Sequence, residues 1–175
     1  AREGLRGFTY RAVGSESGTT HGLVSYHFGT RENLLVEAAK RAGHETIVGF
    51  PLQQTGTTIR EFAIGLPALA AEQADRHAFM FELAVEARRN SAIRPEMLAQ
   101  YSRFRAATGD ALDRLGIHDS SGALARLVFA AIDGLALQQL LDDDAAASEL
   151  AIRKLQDLLA PLAGAERQQP SAPQA

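Results

Sequence analysis

The sequence predicts an all-α protein in which a small helix-turn-helix module precedes a larger helical body. Apolar residues recur three and four positions apart through most of the chain, as Leu34, Leu35 and Ala38 do, which is the period of a helix with one buried face. No stretch alternates apolar and polar residues in the manner of a half-buried strand, and no segment repeats. Near the start, two short helical stretches flank Gly18, which is the pattern of a helix-turn-helix.

The composition is that of a globular protein and excludes several kinds of site. Of the 175 residues, 46% are hydrophobic and 22% are charged, which is ordinary for a soluble domain. The chain has no cysteine, so disulfides, thiolate metal sites and cysteine nucleophiles are excluded, and a reducing cytoplasm is the expected location. No apolar run comes near the roughly 18 residues of a membrane span, and no secretory signal opens the chain, so no membrane association is expected.

The charge is unevenly distributed along the chain. The net charge is −3, which by itself argues against binding to nucleic acid. Residues 1–44 nevertheless contain six Lys or Arg and four acidic residues, a balance of +2, whereas the remainder has a balance of −5. A mildly basic first module on an acidic body is compatible with a local surface for phosphate groups.

Capping residues divide the first 48 residues into three helices. The predicted caps are Thr9, Thr19 or Thr20, and Thr30, and the helices that follow them extend over 10–17, as far as Phe28, and over 30–48. A threonine hydroxyl at such a position accepts a free N–H of the first helical turn. Gly18 suits the left-handed turn after the first helix. The apolar anchors predicted for the second helix are Leu23, Tyr26 and Phe28.

The body is predicted to follow a linker over residues 49–57, which contains a proline, a glycine and no periodicity. Its helices are expected over about 58–75, 77–90, 95–115, 122–141 and 149–162, within a domain spanning 58–163. Pro67 is expected to kink the first of them, and Pro95 fits a first turn. Ser148 is the predicted cap of the last helix, and the low-complexity tail over 164–175 is expected to be disordered.

The short second helix presents small polar groups that suit contact with base edges in a DNA groove. These groups belong to Thr19, Thr20, His21, Gly22 and Ser25. Tyr26 and His27 follow, and their phenol and imidazole can bond phosphate. The helix N-termini at Thr9 and Thr30, the second beside Arg31, also suit phosphate groups. The alternative is that Tyr26 and Phe28 only pack a small three-helix core.

The stretch Gly22-Leu23-Val24-Ser25-Tyr26-His27-Phe28, followed by Thr30-Arg31-Glu32-Asn33-Leu34-Leu35, resembles the DNA-binding region of the tetracycline-repressor (TetR) family of bacterial transcription regulators. The resemblance implies phosphate contacts by Thr9, Tyr26, His27 and Arg31, and a groove-facing set of Thr19, Thr20, His21, Gly22 and Ser25. It also implies a preceding helix of about twenty residues, which is almost wholly absent before Ala1. The module is therefore expected to lack part of its core. The stretch 130–138 resembles the family's penultimate helix.

The body offers candidate residues for a small-molecule cavity and for a dimer interface. The ligand candidates are Phe62, Leu66, Phe79, Met80, Leu83, Met97, Tyr101, Phe104, Arg105, Phe129 and Asp133. The alternative is that these apolar side chains form plain core. The helix over 122–141 is apolar nearly all round and needs a partner on its second face, unless it is buried at the centre of its own domain. The predicted interface residues are Leu124, Val128, Leu135, Gln138, Leu155, Leu158 and Leu159.

These patterns together predict a ligand-responsive transcription regulator, most simply a repressor that binds a palindromic operator as a homodimer and is released by a small-molecule effector. No cofactor, metal or enzymatic activity is expected, because His44-Glu45 lacks the second histidine of a zinc-protease helix and no glycine-rich phosphate loop occurs. The alternative is a helical small-molecule-binding or enzyme domain in which the first module has only a structural role.

Overall fold

The predicted all-α fold is confirmed by a computed structural model, which describes residues 4–48, 50, 52 and 56–165. Within these residues every regular element is helical. The α-helices are α1 (Gly4–Gly7), α2 (Tyr10–Glu16), α3 (His21–Phe28), α4 (Arg31–Val48), α5 (Leu66–Glu72), α6 (Ala74–Glu86), α7 (Arg94–Arg114), α8 (Ala123–Asp142), α9 (Ala145–Leu159) and α10 (Leu162–Ala165), with a 3-10 turn at Ile59–Glu61. The predicted disordered tail lies outside the described residues from position 166 onward.

Threonine caps begin the first helices as the sequence predicts. The Thr9 Oγ1 accepts a hydrogen bond from the backbone N–H of Ala12 at 3.2 Å, and the Thr30 Oγ1 accepts one from that of Asn33 at 3.1 Å. Of the two candidates for the cap of α3, Thr20 is the one used, since its Oγ1 accepts from the backbone N–H of Leu23 at 3.2 Å. These bonds satisfy N–H groups that have no partner inside their own helix.

The segment between α7 and α8 ends one long helix and begins the next. Gly116 has φ 72°, and the backbone N–H of Ile117 donates to the Leu112 carbonyl at 2.9 Å, a Schellman turn that ends α7. Asp119 then accepts hydrogen bonds from the Ser121 hydroxyl and from the backbone N–H of Leu124. Both bonds favour the carboxylate and hold the pKa of Asp119 below its usual range.

Two predictions for the helical body are wrong. The helix expected over 58–75 is interrupted by positive φ values at Ala63 and Gly65, and Pro67 lies in the first turn of α5 instead of kinking a longer helix. A proline is tolerated there because its missing N–H would have no intrahelical acceptor. Asp144, not Ser148, caps α9, since its carboxylate accepts from the backbone N–H of Ala147 at 2.8 Å while Ser148 lies inside the helix.

The chain forms two compact units, whose boundaries differ from those of the predicted modules. Unit 1 comprises Ala1–Gly49 and Glu72–Arg103, and unit 2 comprises Phe50–Ala71 and Phe104–Ala175. Helix α6 and the first half of α7 therefore belong to the same unit as the helix-turn-helix. The division into a DNA-binding module and a regulatory body stays a functional proposal.

An apolar core in unit 1 includes α4, the third helix of the predicted helix-turn-helix module. Leu35 and Ala39 of α4 are fully buried in it, as is Leu83 of α6. Phe79, Ala87, Ile93 and Met97 complete the buried cluster, and Leu5, Phe8, Met80 and Tyr101 are partly buried against it. Because α4, α6 and α7 share this close-packed core, a change in the packing of α6 or α7 also changes the contacts of α4.

A buried glutamine joins α7 to the backbone of α4 within this core. Gln100 is 1% exposed, and its Nε2 donates to the carbonyl oxygen of Ala39. The amide lies against Gly43, where an added Cβ would be 2.1 Å from Nε2. Gly43 is therefore the residue that lets the Gln100 amide reach the helix backbone.

Unit 2 contains an aromatic cluster and two further buried glutamines. The rings of Phe104 and Phe129 are stacked with centroids 5.5 Å apart. Gln139 of α8 donates to the Pro67 carbonyl at 2.7 Å, and Gln156 of α9 donates to the Phe62 carbonyl at 2.7 Å. These amides satisfy the backbone carbonyls of Phe62, before α5, and of Pro67, in its first turn, which explains how these two residues are buried at the break between helices.

We expect Gly43→Ala to lower the free energy of unfolding by about 1–2 kcal/mol, measured by urea denaturation. The new methyl group displaces the Gln100 amide, which then loses its acceptor while buried, and this outweighs the gain in helix propensity of about 1 kcal/mol.

Gly22→Ala is the matched control, because Gly22 also lies inside a helix but its nearest neighbour to an added Cβ is the Thr20 Oγ1 at 3.9 Å. It is expected to leave stability unchanged or to raise it. The loss in Gly43→Ala should shrink when Gln100→Ala is added. A Gly43→Ala protein as stable as wild type would show that the amide relocates without penalty.

Candidate functional site

Helix α3 presents one face to the protein and the opposite face to solvent. Val24 is 4% exposed and Phe28 is partly buried, so these two side chains anchor the helix. Tyr26 is 87% exposed and Leu23 is 57% exposed. The prediction that Leu23 and Tyr26 are apolar anchors is therefore wrong: Val24 takes that role, and both side chains lie on the outward face, one helical turn apart.

The turn between α2 and α3 depends on two glycines. Gly18 has φ 66°, and the backbone N–H of Thr19 donates to the Gly14 carbonyl at 2.8 Å, which completes a Schellman turn. Gly14 is buried, and a Cβ at this position would lie 3.1 Å from the backbone nitrogen of His21. The start of α3 can therefore pack directly on the end of α2.

One side-chain bond holds the far end of α3, and a second joins α4 to α1. The Tyr10 hydroxyl donates to the Gly29 carbonyl at 2.8 Å and so ties the start of α2 to the end of α3. The Arg31 Nη2 donates to the Leu5 carbonyl at 2.9 Å. Helix α3 is thus held at its start by the Gly14–Gly18 turn and at its end by the Tyr10 bond, which fixes the direction in which its outward face points.

The structure brings the predicted DNA-contacting residues together around α3. Those with exposed side chains or backbone are Thr9, Thr20, His21, Gly22, Tyr26, His27 and Arg31, whereas Thr19 and Ser25 are partly buried. The His27 ring packs edge-on against Phe28, with centroids 4.7 Å apart. Arg31 donates one N–H to the Leu5 carbonyl and has others to donate, since a guanidinium carries five.

Sequence reasoning missed three residues of this site, Tyr10, Gly14 and Leu23. Tyr10 acts through a hydroxyl bond to a residue nineteen positions away, which no local pattern encodes. The close approach of Gly14 to His21 is likewise a contact between two helices and not a pattern within one of them. The outward position of Leu23 follows once Val24 and Phe28 are known to be buried, because the two faces of α3 are then defined.

The predicted ligand residues fall into both units. Phe79, Met80, Leu83, Met97 and Tyr101 belong to unit 1, and Phe62, Leu66, Phe104, Arg105, Phe129 and Asp133 belong to unit 2. Three of them in each unit are buried core residues, and two of these, Leu83 and Phe62, have no exposed surface. Leu66, Arg105 and Asp133 are partly buried. Met80 and Tyr101 are only partly buried, at the edge of the unit 1 core.

Two polar side-chain atoms in unit 1 are buried without a hydrogen-bond partner among the described residues, Oε1 of Gln100 and Nδ1 of the partly buried His77. The Nδ1 atom of His77, on α6, has no hydrogen-bond partner among the described residues. Burial, and to a smaller extent the nearby charge of Arg76, lowers the pKa of His77 below its ordinary value. The imidazole is therefore neutral at pH 7. His77 and Met80 lie one helical turn apart, so His77 continues the face by which α6 packs on the core.

Helices α8 and α9 carry a set of exposed leucines. These are Leu127, Leu137 and Leu141 on α8, with Leu150 and Leu158 on α9. Of the predicted interface residues, Val128 and Leu159 are only 2% and 3% exposed and belong to the core of unit 2, which corrects their assignment. Leu158 and Gln138 are exposed, and Leu124, Leu135 and Leu155 are partly buried.

Contrary to the sequence prediction, α8 is long and apolar enough to cross a membrane by length and composition alone. It is the one such helix in the described part of the chain. Arg126, Asp133, Gln138 and Gln139 interrupt its sequence, and α9 packs against it. Within residues 4–48, 50, 52 and 56–165, no group of three or more metal-ligating side chains is found.

A family model described as the tetracyclin repressor-like C-terminal domain matches residues 57–163. No curated protein and no solved structure matches the chain. The matched segment covers more than half of the 175 residues and includes all of α5 to α9. Regulators of this kind are soluble proteins, and a single helix of this length and composition is weak evidence for a membrane span. The chain belongs to the tetracycline-repressor-like (TetR) family of regulators.

Proposed function

We propose that this protein is a ligand-responsive transcription regulator that binds a palindromic operator through α3 and its neighbours. The observation that carries the proposal is the outward face of α3, where Tyr26 is 87% exposed. The helix is held by its turn at one end and by the Tyr10 bond at the other. An α-helix held in this way fits the major groove. We expect the protein to act in the cytoplasm, most simply as a repressor.

The charges around α3 support contact with phosphate groups. Arg6, Arg11 and Arg31 are exposed on α1, α2 and α4, and α3 itself carries no acidic residue. The N-terminus of α4 directs free N–H groups outward beside Arg31. Phosphate contacts on both sides of an uncharged reading face would position the helix while leaving the face itself to contact the bases.

A homodimer is part of the proposal, because one short helix reads too few base pairs to select a site. Two copies related by a twofold axis would present two reading helices to the two halves of a palindrome. The exposed leucines of α8 and α9 are the surface we assign to this contact. Large apolar side chains exposed at 43–82% on adjacent helices are what an unpaired interface leaves behind.

The effector site is proposed to lie in unit 1, beside His77. An unpartnered buried nitrogen needs a polar partner, and a bound ligand would supply one. Met80 and Tyr101 offer apolar and aromatic walls at the edge of the same core. Because α4 belongs to this core, a ligand that favours a different packing of α6 and α7 would change the spacing of the two reading helices and so release the operator.

We expect the double variant Tyr26→Ala/Arg31→Ala to bind a selected palindromic duplex at least tenfold more weakly. Loss of the two Arg31 charges per dimer should also reduce the slope of log affinity against log salt by about 2. Fluorescence anisotropy over a range of salt concentrations measures both quantities.

Arg88→Ala is the charge-matched control, because Arg88 is exposed in the turn after α6, away from the helix-turn-helix in sequence. It should retain wild-type affinity and salt slope. If Tyr26→Ala/Arg31→Ala remains folded by circular dichroism and binds DNA as tightly as wild type, the proposed DNA surface is wrong.

We expect Leu127→Glu/Leu158→Glu to convert a dimer into monomers, measured by sedimentation velocity. The two leucines are 66% and 69% exposed in the protomer, so the substitutions cost the protomer little but place charges in the proposed contact.

Leu98→Glu is the matched control, since Leu98 is 60% exposed on the unit 1 half of α7. It should leave the sedimenting mass unchanged. Wild-type protein that sediments as a monomer, or a double glutamate variant that remains a dimer, would contradict the assigned interface.

Acidification below about pH 6.5 should destabilise the wild-type protein more than His77→Gln. The folded state lowers the pKa of His77, so below the ordinary value of about 6.5 the unfolded chain binds a proton that the folded chain does not. Stability associated with His77 is therefore complete above that pH and is lost as the pH falls towards the folded pKa. Melting temperatures measured between about pH 8 and pH 5 test this, and parallel curves for the two proteins would contradict it.

A further inference from the structure

Helix α3 lacks the side chains that make bidentate hydrogen bonds to purines in the major groove. Its sequence, His21 to Phe28, contains no arginine, lysine, asparagine or glutamine and no acidic residue. Bidentate contacts to guanine come from arginine or lysine, those to adenine from asparagine or glutamine, and acceptors for cytosine from acidic residues. A reading face built from α3 must therefore rely on single hydrogen bonds, such as those of His21 and Ser25, and on apolar contacts with bases.

The outward face of α3 instead carries an exposed apolar side chain, that of Leu23. Leu23 is 57% exposed and lies one helical turn from Tyr26, which is 87% exposed. Gly22 precedes it, and the nearest atom to an added Cβ there is 3.9 Å away, so no neighbouring side chain covers this part of the helix. Leu23 is thus free to contact whatever α3 approaches.

The surroundings of Leu23 favour duplex DNA over an apolar protein partner. The outward face is neutral. Among the exposed charged residues from position 4 to position 35, three arginines (Arg6, Arg11 and Arg31) outnumber two acidic residues (Glu16 and Glu32). An apolar centre between cationic side chains complements a groove whose walls are phosphates. The apolar group that the floor of the major groove offers is the C5-methyl group of thymine.

We propose that Leu23 is a specificity-determining residue that contacts the methyl group of a thymine in each operator half-site. This inference rests on the proposed DNA-binding function and adds the base that is read. It predicts that the operator contains a thymine, at the same place in both half-sites, whose methyl group contributes to affinity.

The test begins with selection of bound sequences from a library of random duplexes by the wild-type protein. Each thymine of the selected site is then replaced by deoxyuridine, which removes only the methyl group. We expect one symmetric position to be sensitive, with affinity falling about fourfold per half-site, the effect of uncovering one buried methyl group, and about fifteenfold when both half-sites are replaced. The remaining thymine positions serve as internal controls.

Leu23→Ala identifies the side chain responsible. On the thymine operator it should bind about as weakly as wild type binds the doubly replaced operator, and it should lose nothing further on deoxyuridine. The exposed position of Leu23 makes unfolding of this variant an unimportant concern, and a melting curve checks it. Leu98→Ala, at 60% exposure on α7, should keep the full sensitivity of wild type to deoxyuridine.

The outcomes separate this inference from the function on which it rests. If no duplex is enriched and no salt-dependent binding is measured, the DNA-binding proposal itself fails. If a site is enriched but no thymine replacement changes affinity, DNA binding stands and thymine reading is wrong. If one thymine is sensitive and Leu23→Ala retains that sensitivity, another residue of the face reads the methyl group and the assignment to Leu23 is wrong.

Discussion

The close contact of the Gln100 amide with the backbone of α4 is the constraint on which unit 1 depends. Gly43 is the one glycine of α4, and every neighbouring position carries a Cβ that would occupy the space of the amide. A shift of α4 by one residue would therefore put a side chain where Gln100 lies and would remove the bond to Ala39. The register of α4 against α7 is consequently discrete, and intermediate positions are disfavoured by sterics and by loss of a buried hydrogen bond.

The helix-turn-helix depends on this register because α4 is also its third helix. Val24 is the buried residue of α3, and Leu34 and Leu35 are buried residues of α4. Helix α3 packs on α4 as well as on α2. The bond from Tyr10 to Gly29 and the close packing at Gly14 then set the direction of α3. The outward face of α3 is thus defined by contacts that all lie on its other side, which leaves Leu23 and Tyr26 without packing roles.

The sequence predicted the elements whose causes are local. Threonine caps and glycine turns depend on a few adjacent residues, so Thr9, Gly18 and Thr30 were identified correctly. Where two local signals competed, the choice failed: Asp144 and Ser148 can both cap a helix, and only the burial of Ser148 decides between them. The faces of α3 were also misassigned, because eight residues hold too few apolar positions for a period to be read. The packing of α6 and α7 in the same unit as the helix-turn-helix depends on long-range contacts such as Gln100 to Ala39, which no pattern along the chain encodes.

A discrete register also limits how an effector can act. A ligand shifts an equilibrium only by its difference in affinity for two states, and a core that tolerates intermediate positions would spread that difference over many small displacements. In unit 1 the Gln100 contact removes those intermediates, so the binding energy of a ligand beside His77 would be concentrated in one rearrangement of α6 and α7 against α4. Packed interfaces behave in this way because they have separate minima instead of deforming continuously. The same glycine that lets α7 approach α4 is therefore what would make the response of the reading helix two-state.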